Sequence, residues 1–264
     1  MEILPLQPED LPRLSEIQPT DWGDITPNVT YYLNSPHCSP IKVVENGEII
    51  GTGSAIRHKD TAWLALIIVH PQHRNRGLGG IITKYLVDML KAEGFETVYL
   101  IATPMGEPVY KRLGFEIETE YLFFKGELKE TETQPNIIPF EAKHLPRIYE
   151  LDQQSYGENR WYRMDENLQT ARVYEHNGKV EGFYLPSLSE GLIVAATPQA
   201  GIALMQLRAQ THEVFILPVD CAAGIEFLKT NGYQEVRNAQ RMRLGKQRPF
   251  NPAMLYNRVG GPIG

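Results

Sequence analysis

Cysteine is scarce in this chain. There are two in 264 residues, Cys38 and Cys221, with no CxxC pair and no matching histidine spacing. That excludes a disulfide framework and a zinc site of the finger type, and no metal is expected. Each cysteine reads as a small, partly buried thiol. Long apolar runs are missing as well. The longest is AWLALIIV, Ala62–Val69, far short of the roughly 20 residues that a membrane-spanning helix needs. The opening residues, MEILPLQPED, carry no basic stretch before an apolar one. No signal peptide and no membrane association are expected, and the location is expected to be cytoplasmic. Basic residues are in deficit, 26 Lys and Arg against 32 Asp and Glu, for a net charge of -6. A broad phosphate-backbone footprint would need the opposite sign, so no nucleic-acid partner is expected. Neither GxxxxGK[ST] nor GxGxxG occurs, which excludes the P-loop and the dinucleotide fingerprint.

What is present is ordinary for a folded chain: 42% hydrophobic and 22% charged residues, at a length suited to one large domain or two small ones. The sequence is doubled. ILPLQPEDLPRL from Ile3 recurs as IIPFEAKHLPRI from Ile137, with Leu11 matching Leu145. Asn46-Gly47 and Asn177-Gly178 each sit between apolar stretches, as two-residue hairpin turns do. YKRLGFEIETEYLFFKG returns as LKTNGYQEVRNAQRMRLG, with Gly114 matching Gly232. The second copy is shorter in its middle. Between the copies lies KETETQPN, Lys129 to Asn136, polar and charged as a linker is. The expected domains are residues 1–130 and 131–264.

In the first copy the pattern predicts a helix over Glu9–Gln18 and mixed helix and loop over Trp22–Pro40. A hairpin follows from Ile41–Glu45 and Ile49–Ile56, then a doubly covered strand over Thr61–Val69. Apolar residues from Ile81 to Leu90 recur at helical spacing, with Gly94 as the stop. Thr97–Ala102 reads as a strand and Pro108–Leu113 as a short helix. FEIETEYLFFKG reads as a final hairpin.

The most informative stretch is VHPQHRNRGLGG, Val69–Gly80. It joins the end of the buried strand to the start of a helix. The first N–H groups of a helix lack intrahelical partners and lie at the positive end of its dipole, which makes an anion site. Gly77, Gly79 and Gly80 remove side chains, so a phosphate or pyrophosphate can reach the backbone. Arg74 and Arg76 add positive charge. The competing reading is a plain turn with solubilising arginines.

Arg74-x-x-Gly77-x-Gly79 after an apolar strand, followed by an amphipathic helix, a second strand and Tyr110-Lys-Arg-Leu-Gly114-Phe115, resembles the GNAT family of N-acetyltransferases. The resemblance covers essentially the whole first copy, and the second copy resembles a degenerate version of the same fold. It implies an α/β (α+β) architecture: two tandem domains, each a mixed, mostly antiparallel sheet flanked by helices. It implies acetyl-CoA as co-substrate and a primary amine of a small molecule or peptide as acceptor. By the same resemblance, the backbone of Ile67, Ile68 and Val69 would pair with the pantetheine arm at a splay between two strands. The amides of Asn75, Arg76, Gly77, Leu78, Gly79 and Gly80 would cradle the pyrophosphate. Tyr110 would act as general acid toward the departing thiolate, in keeping with a phenol that is protonated at neutral pH. Where the family often has an Asn, this chain has Thr103, followed by PMGEP.

A direct attack also needs a base to take the amine's proton. Asp21, Asp24, His70 and Glu120 are candidates, with Glu120 and Asp24 leading because family acceptor sites lie between those two segments. Trp22, Tyr31 and Tyr32 are candidates for the acceptor wall or for core. In the second copy the counterpart of the turn, TPQAGIALMQLRA, has no preceding arginine, and Leu228 stands where Tyr110 stands. That copy is expected not to bind CoA productively. Packing on the first copy, a lid over the acceptor site to which Gly157–Glu166 contributes, and homodimerisation are its candidate roles. A rival for the whole chain is a regulator that binds CoA without turning it over.

Overall fold

The computed structural model describes residues 1–20, 22–128 and 134–262. Asp21 and residues 129–133 of the polar segment lie outside the described residues. The chain forms two compact units. Unit 1 is Met1–Ile117 with Met242–Lys246 and Gly261–Gly264; unit 2 is Glu118–Arg241 with Gln247–Gly260. The residues are thus interleaved between the units, where one break at 129–136 would leave each unit a single stretch of chain.

Unit 1 opens with β1 (Glu2–Pro5) and a 3₁₀ turn, Pro8–Arg13, that passes into the short α1 (Leu14–Ile17). The continuous helix expected over Glu9–Gln18 does not form. Pro12 has no N–H to donate, and the chain winds tighter around it. After α2 (Thr26–Asn34), β2 (Cys38–Glu45) and β3 (Glu48–Arg57) pair antiparallel. Asn46 and Gly47 turn between them with φ of 52° and 83°, the left-handed pair that a two-residue hairpin requires. Next come β4 (Ala62–Val69), α3 (Leu78–Ala92), β5 (Thr97–Ala102) and α4 (Glu107–Arg112). The strands run in the order β1-β2-β3-β4-β5, antiparallel apart from the β4–β5 pair. The next neighbour of β5 is β12 (Gln234–Gly245), whose end, from Met242 on, belongs to this unit. The buried stripe of α3, Leu78, Ile82, Leu86, Val87 and Leu90, packs with Ile50, Leu64, Val98, Leu100, Phe115 and Met242 into one core.

The expected hairpin in FEIETEYLFFKG is instead one strand, β6 (Glu116–Lys125). The stretch holds no glycine, proline or asparagine at which to reverse before Gly126. Its partners come from the second copy: β12 on one side and β11 (Val214–Pro218) on the other, the latter antiparallel from Tyr121↔Pro218 to Lys125↔Val214.

Unit 2 continues with β7 (Ile137–Pro139), α5 (Leu145–Tyr156), α6 (Trp161–Asp165), β8 (Arg172–His176), β9 (Lys179–Leu185), β10 (Leu192–Ala195) and α7 (Pro198–Ala209). After β11 and α8 (Ala222–Thr230), β12 leads to the short β13 (Leu255–Asn257). A second sheet runs β13-β10-β9-β8-β7, antiparallel throughout. Local geometry of unit 1 recurs here. Asn177 and Gly178 turn with φ of 51° and 73°. The end of α8 repeats the end of α4: Tyr233 N–H donates to the Leu228 carbonyl (3.0 Å) as Phe115 does to Tyr110 (3.1 Å). The core of unit 2 gathers Phe124, Ile193, Leu204, Met205, Phe215, Leu217, Leu228 and Tyr256. A mostly antiparallel sheet with the parallel β4–β5 pair and a second, antiparallel sheet, both flanked by helices, are therefore the architecture, close to what the sequence indicated.

Candidate active site

The site in unit 1 begins with a fault in a strand. Leu66 on β4 has φ of 49°, a left-handed conformation that is an outlier for a bulky residue. Opposite it, the β3–β4 register slips between Thr52 and Ser54. The extra residue is a β-bulge, which bends its strand. On the other side, β4 and β5 pair only at Ala62↔Val98, Trp63↔Tyr99 and Leu64↔Leu100. Beyond Leu64 no further pair joins them among the described residues, so the edge of β4 is open from the bulge onward.

Register says which main-chain groups face that opening. His70 N–H donates to the Ile50 carbonyl (2.9 Å), and Ile68 lies opposite Thr52. In an antiparallel ladder alternate residues bond to the same neighbour. Ile68 therefore turns its main chain toward β3, while Ile67 and Val69 turn theirs toward the opening. The Val69 carbonyl accepts a bond there from Arg74 Nε (3.3 Å).

The turn that follows aims a helix start at the same place. His70 Nδ1 accepts from Gln72 N–H (3.2 Å) and caps the 3₁₀ turn Pro71–His73. Asn75 and Gly77 then adopt φ of 62° and 78°. Gly77 is the N-cap of α3 and offers no side chain to satisfy it. The first helical bond is Ile81 N–H to the Gly77 carbonyl (3.1 Å). The N–H groups of Leu78, Gly79 and Gly80 are left without intrahelical acceptors, and no acidic residue stands in this first turn. Gly79 is the telling position. It has no left-handed φ, and a Cβ built on it meets nothing within 4 Å. Neither backbone conformation nor packing in the chain calls for glycine there. The free space faces outward, where a ligand would sit.

The two arginines differ. Arg74 is tethered only through Nε, and its terminal nitrogens have no partner among the described residues. Arg76 is engaged by Glu45 through two bonds of 2.9 Å each and contacts His73 Nδ1 at 2.8 Å. The Arg76 guanidinium holds the Glu45 carboxyl below its ordinary range. The side-chain charge of Arg76 is thus engaged within the protein.

Across the opening, Thr103 accepts N–H bonds at its carbonyl from Gly106 (2.9 Å) and Glu107 (3.0 Å) and starts α4. Val109 lies 3.8 Å from the space beside Gly80, which sets α4 against the first turn of α3. Tyr110, one residue on, is 8% exposed and packs in the same core as Leu78 and Ala102. Gly106 makes room for its ring: a Cβ there would lie 2.8 Å from a ring carbon. Burial pushes the Tyr110 phenol up to about 12, and its hydroxyl has no hydrogen-bond partner among the described residues. It is a protonated donor with a free proton.

The candidate bases divide between the two units. Asp24 in unit 1 is fully exposed and accepts from Thr26 N–H (2.9 Å) at the start of α2; that bonding lowers its pKa. Glu120 is in unit 2, on β6, and accepts from Gln240 Nε2 (3.1 Å). Tyr32 is core, its hydroxyl donating to the Pro262 carbonyl, and Tyr31 packs edge-on against it.

In Gly157–Glu166, the candidate contributor to a lid, Glu158, Arg160, Arg163 and Met164 are buried within unit 2, while Trp161, Asp165 and Glu166 are exposed. Arg160 bonds Asp152 through Nη2 (2.7 Å) and Nε (3.2 Å) and lies 3.4 Å over the Tyr156 ring; Glu158 accepts from Arg241 (3.2 Å). Both charged pairs are buried. The alternation Arg-Met-Arg-Leu at 241–244 was the available signal that arginines share a strand with core residues.

Among the described residues no group of three or more His, Cys, Asp or Glu is placed to hold a metal, and no helix is long and apolar enough to cross a membrane. Residues 6–115 match the model of the acetyltransferase (GNAT) family. That stretch contains β4, the turn, α3, β5 and α4, hence every unit 1 element of the site. Three solved structures share the fold. A Pyrococcus horikoshii protein assigned to the acetyltransferases superposes with a TM-score of 0.83 at 18% identity, over 100% of this chain and 95% of that one. A GCN5-related N-acetyltransferase from Sphaerobacter thermophilus gives 0.62 at 16%, over 96% and 98%. One from Anabaena variabilis gives 0.59 at 12%, over 92% and 72%.

Proposed function

We propose that unit 1 is an acetyl-CoA-dependent N-acetyltransferase acting on a primary amine of a small molecule or peptide by direct attack. One observation carries the reading: the open edge of β4 runs into an uncapped helix start whose Gly79 is required by nothing inside the chain. The GNAT family match over 6–115 supports the acyl-transfer class.

The residues divide the work. Ile67 and Val69 offer main-chain donors and acceptors to the amide-bearing pantetheine arm. The N–H groups from Asn75 to Gly80, with Arg74, hold the pyrophosphate. Acetyl-CoA supplies an acetyl thioester. The amine nitrogen forms the new bond to the acetyl carbon, the carbon–sulfur bond breaks, and the leaving sulfur takes the hydroxyl proton of Tyr110. The amine's own proton passes to a base, for which Glu120 and Asp24 remain the two carboxylates. The hydrogen bonds from Thr26 that lower Asp24 weaken it as a base. Unit 2 is the degenerate copy: the N-cap of α7 is Thr197, whose side chain accepts from Ala200 N–H (3.3 Å). That helix start is already satisfied by its own chain.

The test is CoA release across a library of amines, beside calorimetry with acetyl-CoA. Turnover of an amine with one bound acetyl-CoA per chain is expected. Tight binding with no amine turned over would favour a regulator, and no binding would sink the reading.

A further inference from the structure

In unit 1, β4 and β5 part and leave an opening. The corresponding strands of unit 2 are β10 and β11, each followed by its helix as in unit 1. They are not neighbours. Residues 255–258 lie between them. On one side β13 pairs with β10, Val194 opposite Leu255 and Ile193 opposite Asn257. On the other side Arg258 N–H donates to the Ile216 carbonyl (3.0 Å), and Ile216 N–H donates to Asn257 Oδ1 (2.9 Å). Both main-chain groups of Ile216 are therefore taken by this segment.

The segment also covers the helix start. The Tyr256 ring lies against the first turn of α7, so close to Gly201 that a Cβ there would fall within the ring's own volume. On its other flank, a Cβ at Gly224 of α8 would lie 3.3 Å from Tyr256. Gly201 and Gly79 thus serve opposite ends: at Gly79 the vacated space is open, and at Gly201 it is filled by Tyr256. The segment is anchored. Asn257 donates to the carbonyls of Glu190 (2.8 Å) and Gly191 (2.7 Å), and Arg258 Nε bonds Glu190 (2.8 Å).

We infer that the cleft of unit 2 is a strand-binding site whose occupant is the chain's own segment 255–258, held where unit 1 takes the pantetheine arm. This rests on reading the unit 1 cleft as the acyl-CoA site. The segment supplies what a pantetheine arm would: an extended amide backbone between two parted strands. Its Tyr256 covers the turn on which a pyrophosphate would rest. The unit is closed to CoA by occupation as well as by the loss of its arginine and glycines.

Amide hydrogen exchange on the full chain, with and without saturating acetyl-CoA, tests this. The amides of Ile216 and Arg258 should be slow and unchanged by acetyl-CoA, while those of Gly79 and Gly80 slow at least tenfold. In Gly79→Glu, acetyl-CoA should alter neither set. In Asn257→Ala, exchange at Ile216 should quicken at least tenfold, with acetyl-CoA still binding once per chain. Fast exchange at Ile216 and Arg258 in the unsubstituted chain would overturn the inference. So would a second acetyl-CoA site, or a change at those two amides when acetyl-CoA is added to Gly79→Glu. Loss of the unit 1 response alone would refute the acyl-CoA reading of unit 1 and leave the exchange at Ile216 and Arg258 to decide the occupancy of unit 2.

Discussion

Replacing Gly79 by alanine separates what the fold needs from what a ligand needs. The new Cβ meets no protein atom within 4 Å, and the residue carries no left-handed φ. Inside a helix, alanine is favoured over glycine by up to about 1 kcal/mol, partly because the unfolded chain has less freedom to lose. Near a helix start the gain is smaller, about 0.5 kcal/mol. In a chain of this size that raises Tm by about 1–2 °C. The methyl nevertheless stands where phosphate oxygens would approach the Gly79 and Gly80 amides. Losing one good bond to a charged group costs about 1.5–3 kcal/mol, or roughly ten- to hundredfold in Kd. Gly77→Ala is the contrasting control. Its φ of 78° costs an L-residue about 1–2 kcal/mol, so stability should fall. Thermal unfolding and calorimetry with acetyl-CoA on the three proteins give the readout. If Gly79→Ala keeps full affinity, the glycine is not there for a ligand and the phosphate-site reasoning fails.

Tyr110→Phe should lower kcat by about 10²–10⁴-fold with KM little changed and should leave stability nearly intact, since the hydroxyl has no partner to lose; unchanged turnover would remove it as the acid. An acid must be protonated to act, and Tyr110 titrates near 12. The pH–rate profile should therefore show no falling limb from pH 7 to 10, and a limb near 10 in the wild type that vanishes in Tyr110→Phe would contradict that. By the same sign, the raised phenol contributes stability that is complete below about pH 10 and is lost as pH rises through about 12. Arg160→Ala leaves the buried Asp152 carboxyl, whose pKa burial already raises, without its arginine, which should cost about 3–5 kcal/mol in denaturant unfolding; a loss under about 1 kcal/mol would mean that the pair adds little to stability. Arg74→Ala should weaken acetyl-CoA binding and flatten its salt dependence, while Arg76→Ala, whose charge Glu45 already engages, should change affinity little in the same titrations.

The elements that local chemistry decides were legible. The Asn-Gly turns, the strand Thr97–Ala102 and the start of α3 follow from turn residues and apolar spacing. The stretch Val69–Gly80 was likewise legible as the junction between a buried strand and a helix start. What was not legible depends on partners distant in sequence. FEIETEYLFFKG looked like a hairpin because a lone strand must find a neighbour, and nothing local says that the neighbours are Tyr121's partner Pro218 and the strand from Gln234. The bulge at Leu66 is invisible in AWLALIIV, since leucine gives no hint of a positive φ. The burial of Arg160 and Arg241 was hidden by their charge. Such residues lie inside only when paired, and their partners Asp152 and Glu158 are named by the fold alone.

The end of β12 bears on how the chain comes into being. Thr97 donates its hydroxyl to the carbonyl of Lys246, 149 residues away, and Met242 sits in the core of unit 1. While the chain is being synthesised, β5 must wait with a bare edge until residues 242–246 have emerged. Such long-range closure slows folding and leaves an unpaired strand edge exposed to other chains. A gene fragment cut at the polar segment would encode a unit 1 that never receives this strand. It should aggregate even though every residue proposed to touch acetyl-CoA is present.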